Sequence, residues 1–189
     1  MLLGSDLDGV VIDIWTVLEE IFENEYGVSI SYECISSYKI EDCTRLDKEQ
    51  VDRAIDKALR RTDLPLYKDA VHYIQEWIKE KGQIIFITSR KKTYNNETFL
   101  NLAKYFKLGD FNLFFANGLS KSYYVNSMKI DFFLEDRVKY AIQIAEECPD
   151  CAVLLMDRPW NWEWDEGYYD NVTRVYNWEE VKGTLSICG

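Results

Sequence analysis

The feature that most constrains this chain is a regular alternation. Short apolar runs bounded by turn residues are followed by segments whose apolar residues recur every three or four positions. That pattern belongs to strand and crossover helix, and hence to a parallel sheet covered on both faces. Strands are expected over residues 1–7, 83–88, 112–116, 130–135 and 152–157, with a short last one over 172–176. Helices are expected over 67–81, stopped by Gly82 past its end, over 96–106, 121–127 and 138–147, and from Trp178 onward. The fold class that follows is α/β, a three-layer Rossmann-like core with a central parallel sheet.

One interval breaks the rhythm. Between the first two strands, from Trp15 to about Leu66, no strand is evident, while "WTVLEEIFENEYG" reads as a helix closed by Gly27 and "DKEQVDRAIDKALRR" as another. A right-handed parallel crossover needs only one helix, so the excess is expected to form a small helical lobe over one end of the sheet. The expected organisation is a core of residues 1–14 and 67–189 with a cap of residues 15–66. At 189 residues the chain is long enough for one full core, with about 70% of the unfolded surface buried at this size.

Charge limits the partners. With 33 acidic and 22 basic residues the formal charge is −11, which argues against a nucleic-acid polymer or an anionic membrane surface. A small anionic substrate stays compatible if a metal or local cations reverse the field at the site. No stretch approaches the roughly 20 apolar residues that span a bilayer. No basic segment precedes the first apolar run, so the expectation is a cytoplasmic protein, with a homodimer left open.

Of the five cysteines, Cys34, Cys43, Cys148, Cys151 and Cys188, only Cys148 and Cys151 have CxxC spacing. One such pair without nearby histidines is a weak metal or redox signal, and reduced structural thiols are expected. The sole histidine, His72, lies beside the apolar stripe of a helix, which leaves no histidine-based triad.

In open parallel sheets ligands bind beyond the carboxyl ends of the strands. Four sets of polar residues fall there: Asp6 and Asp8 after the first strand, Thr88 and Ser89 after the second, Lys121 opening the helix after the third, and Glu135 with Asp136 after the fourth. Aspartate is a poor strand former and is rarely buried alone, so an acidic pair entering apolar surroundings calls for a cation or a proton to handle. Three carboxylates converging on oxygen-seeking Mg²⁺, with one lysine and one hydroxyl, make a site for a phosphate.

"DLDGVV", "FITSR", Lys121 and "FFLEDR" together resemble the four ordered motifs of the haloacid dehalogenase (HAD) superfamily of aspartate-nucleophile phosphotransferases. The likeness of the motifs runs from Ser5 to Arg137. Within that superfamily, "DLDGVVID" with Asp13 in place, and "TSR", most resemble the 5′(3′)-deoxyribonucleotidase (5′-nucleotidase type C) group and related uncharacterised bacterial and phage proteins. The resemblance implies a phosphomonoester hydrolase in which Asp6 is the nucleophile and forms an aspartyl phosphate. Asp8 would be the general acid and base, a role that members acting on haloacids lack. Asp6, the backbone carbonyl of Asp8, and Asp136 would hold Mg²⁺, with Glu135 behind them. Many relatives carry aspartate where this chain has Glu135, so the division of metal ligation between Glu135 and Asp136 stays open. Thr88, Ser89 and Lys121 would bind the phosphate; Lys129, just ahead of the fourth strand, is the rival for the lysine. The implied substrate is a small phosphomonoester, a nucleoside monophosphate first. Alternatives are a nonhydrolytic phosphate- or nucleotide-binding protein, and a phosphomutase or phosphatase acting on sugar phosphates or nucleic-acid ends.

Two stretches carry open readings. Trp160, Trp162 and Trp164 follow the fifth strand, and either pack against the sheet edge or offer rings to a nucleobase. Tyr26, Tyr32 and Tyr38 share that ambiguity. Arg90, Lys91 and Lys92 either form a solvated basic run or bind a second anionic group.

Overall fold

The computed structural model describes residues 1–187, together with the side chains of all of these except Glu166 and Ile187. Cys188 lies outside the described residues. Six strands, β1 (Leu3–Ser5), β2 (Ile84–Thr88), β3 (Phe111–Phe115), β4 (Phe132–Glu135), β5 (Ala152–Met156) and β6 (Val172–Val175), form one sheet in the order β3-β2-β1-β4-β5-β6. Every pairing is parallel.

Side-chain alternation along the strands divides the core in two. Phe86, Leu134, Leu154 and Met156 face one cluster with Ile74 and Trp77 of α3 (Lys68–Lys81) and Trp178 and Val181 of α7 (Trp178–Ile187). Ile85, Ile87, Phe133, Val153 and Leu155 face the other, with Val125 of α5 (Lys121–Met128) and Ala141 and Ile144 of α6 (Val138–Glu147). Both faces are covered, which is why these strands read as unbroken apolar runs.

Two elements are shorter than the sequence pattern suggests. β1 stops at Ser5 because the carbonyl of Leu7 accepts from the amides of Val10, Val11 and Ile12, which folds the chain into a tight loop instead of extending the ladder. The helix expected over 96–106 becomes α4 (Asn95–Leu102), since Phe106 turns inward to pack against the rings of Phe86 and Phe111.

The 15–66 interval holds α1 (Ile14–Tyr26), α2 (Lys48–Leu59) and single 3₁₀ turns at Tyr32–Cys34 and Ile40–Asp42. Asp13 caps α1 by accepting from the Thr16 amide and hydroxyl, and Gly27 ends it at φ 61°. Asp47 and Gln50 form a reciprocal capping box on α2. The chain leaves and returns at one place: Asp13 N donates to Pro65 O and Tyr67 N to Val11 O. Trp15, Ile21, Ala54 and Ala58 of these helices belong to the same apolar cluster as Leu3 of β1. Among the described residues no helix is long and apolar enough to cross a membrane.

Candidate active site

The order in which strands are added reverses between β1 and β4, which places the crevice at the carboxyl ends of these two central strands. Asp6 follows β1, its amide donating to Leu134 O, and is 8% exposed. Glu135 is the last residue of β4 and Asp136 the next; both are buried. One oxygen from each of Asp6, Glu135 and Asp136 lies within 4.8 Å of the others.

Lys121, at the first position of α5 after the Ser120 N-cap, reaches into this cluster. Its Nζ is 2.7 Å from Asp6 Oδ2 and 2.6 Å from Glu135 Oε2, and 4.9 Å from the Tyr140 ring centre. Burial opposes the ammonium charge, but Asp6 and Glu135 overcome it and hold the Lys121 pKa above the ordinary lysine value. The rival, Lys129, ends α5 in the left-handed region at φ 56° and donates to Asn126 Oδ1.

Three carboxylates sharing one lysine remain in surplus. Burial, then the charges of Glu135 and Asp8 against that of Lys121, push Asp6 up to about 7. Asp136 is raised well above the carboxylate range by burial and by Glu135 and Asp6. The carboxylates differ in how they are committed. Glu135 Oε2 accepts from Lys121 while Oε1 accepts from the amides of Asp136 and Arg137. Asp6 uses only Oδ2, and Asp136 only Oδ2, which accepts from Trp160 Nε1 at 3.0 Å.

The loop after β1 brings its backbone against Asp136. Gly9 sits at φ +76°, and a Cβ there would lie 2.3 Å from Asp136 Oδ2, so only glycine fits both the conformation and the space. Asp8, one residue earlier, does not join the carboxylate cluster through its side chain. Arg90 takes both of its oxygens, Nε to Oδ2 at 2.8 Å and Nη2 to Oδ1 at 2.5 Å. Thr88 is buried at the end of β2 and accepts from the Arg90 amide; Ser89 stands exposed beside it. Asp6, Asp8, Thr88, Ser89 and Asp136 line one cavity of about 240 Å³.

Asp6, Glu135, Asp136 and Lys121 meet at this rim, while three residues outside the expected site set, Arg90, Trp160 and Asn161, hold its members in place. Arg90, open from the sequence as part of a solvated basic run or as an anion-binding group, is 5% exposed and bound to Asp8 and, through Nη1, to Thr98 Oγ1 at 3.0 Å. Trp160 hydrogen bonds Asp136 and meets Tyr32 edge-on at 6.0 Å. Its neighbours part ways: Trp162 is exposed and donates to Asp157, and Trp164 packs on the second core cluster. Asn161 donates to the carbonyls of Asp136 and Met156, tying the loop after β5 to the one after β4. The density of tryptophan was the one signal that marked this loop. His72 is exposed near Glu76, away from the cavity, as expected.

No protein-family profile and no curated protein matches the chain. Solved structures do. A dehalogenase superposes with a TM-score of 0.63 at 11% identity, covering 97% of this chain and 96% of that one. A HAD family hydrolase from Deinococcus radiodurans, with bound phosphate and sodium, gives 0.62 at 13%, covering 98% and 95%. A HAD-superfamily hydrolase from Ehrlichia chaffeensis gives 0.55 at 12%, covering 98% and 96%. The chain thus has the α/β Rossmann-like fold of HAD-type hydrolases.

Proposed function

We propose that this protein is a Mg²⁺-dependent phosphomonoester hydrolase that works through an aspartyl phosphate on Asp6. The observation that carries the reading is the placement of Asp6, which lines the cavity with its Oδ2 held by Lys121 and a carboxylate oxygen within 4.8 Å of ones from Glu135 and Asp136. The donor set fits the cation: oxygen ligands only, buried, with surplus negative charge that burial makes costly. Asp6, Asp136 and the Asp8 carbonyl would hold Mg²⁺, and Glu135, with both oxygens engaged, would support them and Lys121. The cation supplies charge neutralisation that lets a carboxylate approach a phosphate dianion.

The residues divide the remaining work. Asp6 Oδ1 attacks phosphorus as the bond to the leaving oxygen breaks, and Asp8 gives that oxygen a proton. Water then attacks the aspartyl phosphate, Asp8 takes the water's proton, and phosphate leaves with Asp6 restored. Lys121, the Thr88 hydroxyl and Ser89 offer positive charge or donors to the phosphoryl oxygens. Residues 15–66 act as the cap that excludes water. The motif resemblance suggests a 5′-(deoxy)ribonucleotide as substrate.

Phosphate release from p-nitrophenyl phosphate and a set of nucleoside monophosphates, with Mg²⁺ or EDTA, tests the reading. Metal-dependent release that disappears in Asp6→Asn is the expected result. Binding of phosphate without turnover of any ester would point instead to a nonhydrolytic binding protein.

A further inference from the structure

The cavity is chemically divided, and its second half says what the leaving group is. Beyond Asp6, Asp8 and Asp136, the wall is built by Trp15 and Leu18 of α1, Ile35 just after the first 3₁₀ turn and Ile40 opening the second, and Ile55 and Leu59 of α2. Three separate parts of the 15–66 segment thus turn apolar side chains toward one space continuous with the carboxylates. Trp15, Leu18, Ile35 and Leu59 are each less than a tenth exposed, so this wall belongs to the fold's own apolar core.

Polar partners are scarce there. Among the described residues lining the cavity the one cation is Arg90, and its guanidinium is spent on Asp8 and Thr98. The Arg137 guanidinium stacks on Tyr38 at 3.8 Å and Tyr140 at 4.9 Å and is not part of the lining, so a second anionic group on a substrate would meet Asp8 and Asp136 first. Among the described lining residues other than the carboxylates, side-chain donors not already engaged are the hydroxyls of Ser37, Tyr38, Tyr140, Thr88 and Ser89, the last two at the phosphate end, and Trp15 Nε1, a single buried donor without a partner. A polyol leaving group would bring several hydroxyls against isoleucine and leucine, and each buried hydroxyl left unpaired costs about tenfold or more in affinity.

We infer that the enzyme selects phosphomonoesters whose leaving group presents a continuous apolar face, aromatic or aliphatic, and carries no second charge. The inference rests on the phosphomonoester-hydrolase reading and narrows it. A nucleotide would enter with its base against this wall. A hexose phosphate or a bisphosphate would be a poor substrate.

The test compares kcat/KM for 2-phenylethyl phosphate and n-hexyl phosphate with that for glycerol 3-phosphate and a hexose 6-phosphate. All four are primary alkyl esters, so the bond broken is alike and the ratio reports the pocket. The expected result is a preference of about 100-fold for the apolar esters, the scale on which a hydrophobic pocket discriminates. Ile55→Thr and Ile40→Thr, both at half-buried positions, should each reduce that ratio several-fold while the protein stays folded by thermal melt. Equal rates, a polyol preference, or a ratio untouched by both variants overturns the inference and leaves the hydrolase reading standing. Failure to release phosphate from any ester, with Mg²⁺ present, overturns the hydrolase reading itself and the inference with it.

Discussion

Arg90 and Asp8, 82 positions apart in sequence, form a two-pronged ion pair in the lining of the cavity, with the Arg90 side chain almost wholly buried and the Asp8 side chain 30% exposed. The guanidinium fixes the carboxylate plane, and each Asp8 oxygen keeps a second lone pair, as the proton transfer proposed for Asp8 requires. Asp8 is thus aimed by a residue on the neighbouring strand's loop. Arg90→Lys keeps the charge but loses the fork, and should lower kcat about 10²-fold, the lower end of what general acid–base catalysis contributes. Steady-state kinetics with a pH–rate profile checks it; an unchanged kcat and profile would show that Asp8 is aimed by something else.

Among the described residues, Lys121 is the one cation paired with this cluster of three buried carboxylates. Lys121→Met leaves Asp6 and Glu135 facing one another uncompensated, and should cost about 3–5 kcal/mol of folding stability. Adding Glu135→Gln should recover part of that loss. Urea denaturation of the two variants decides it, and no recovery in the double variant would deny the coupling.

At Gly9, a methyl group would collide with Asp136 Oδ2 in a backbone conformation that L residues avoid. Gly9→Ala should therefore displace Asp136 and weaken Mg²⁺ binding at least about tenfold, on the scale by which misplaced ligand supports act. Calorimetric titration of the variant with Mg²⁺ measures this directly.

The carboxylate cluster makes stability depend on pH in an unusual direction. Asp6 is pushed up to about 7 and Asp136 is raised as well, chiefly by burial, so the folded state binds these protons more tightly than the unfolded chain. Their contribution is fully present below the unfolded carboxylate value and is lost as pH rises through about 7. EDTA-treated protein should melt at a higher temperature at pH 5.5 than at pH 8. Saturating Mg²⁺ should shrink the difference, as should Asp6→Asn. A difference that neither treatment alters would trace it to the overall charge of −11 instead.

Cys148 and Cys151 are buried thiols, not a disulfide, and burial pushes Cys151 up to about 12 and raises Cys148 too. Both should resist iodoacetamide at pH 8 in the folded protein while exposed Cys34 reacts. Peptide mapping after alkylation reads the pattern, and labelling of Cys151 at the rate of Cys34 would refute it.

The sequence by itself determined the alternation of elements, because apolar period and capping are local properties of the chain. All six strands and the helices stand within a few residues of their expected places, and Gly27 and Asp47 close or open helices by their own backbone and side-chain chemistry. It also determined that Asp6, Thr88, Lys121, Glu135 and Asp136 share one rim, since in a parallel sheet every strand ends on the same side. Tertiary structure alone decided which groups touch. Lys121 rather than Lys129 reaches Asp6 because α5 starts over the rim and ends away from it. Arg90 left the basic run it shares with Lys91 and Lys92 because strand order sets β2 beside β1, within reach of Asp8. Trp160 and Asn161 became supports of Asp136 only when the loop after β5 folded back across β4. Such meetings depend on strand order and side-chain direction over long separations, and no local pattern records them.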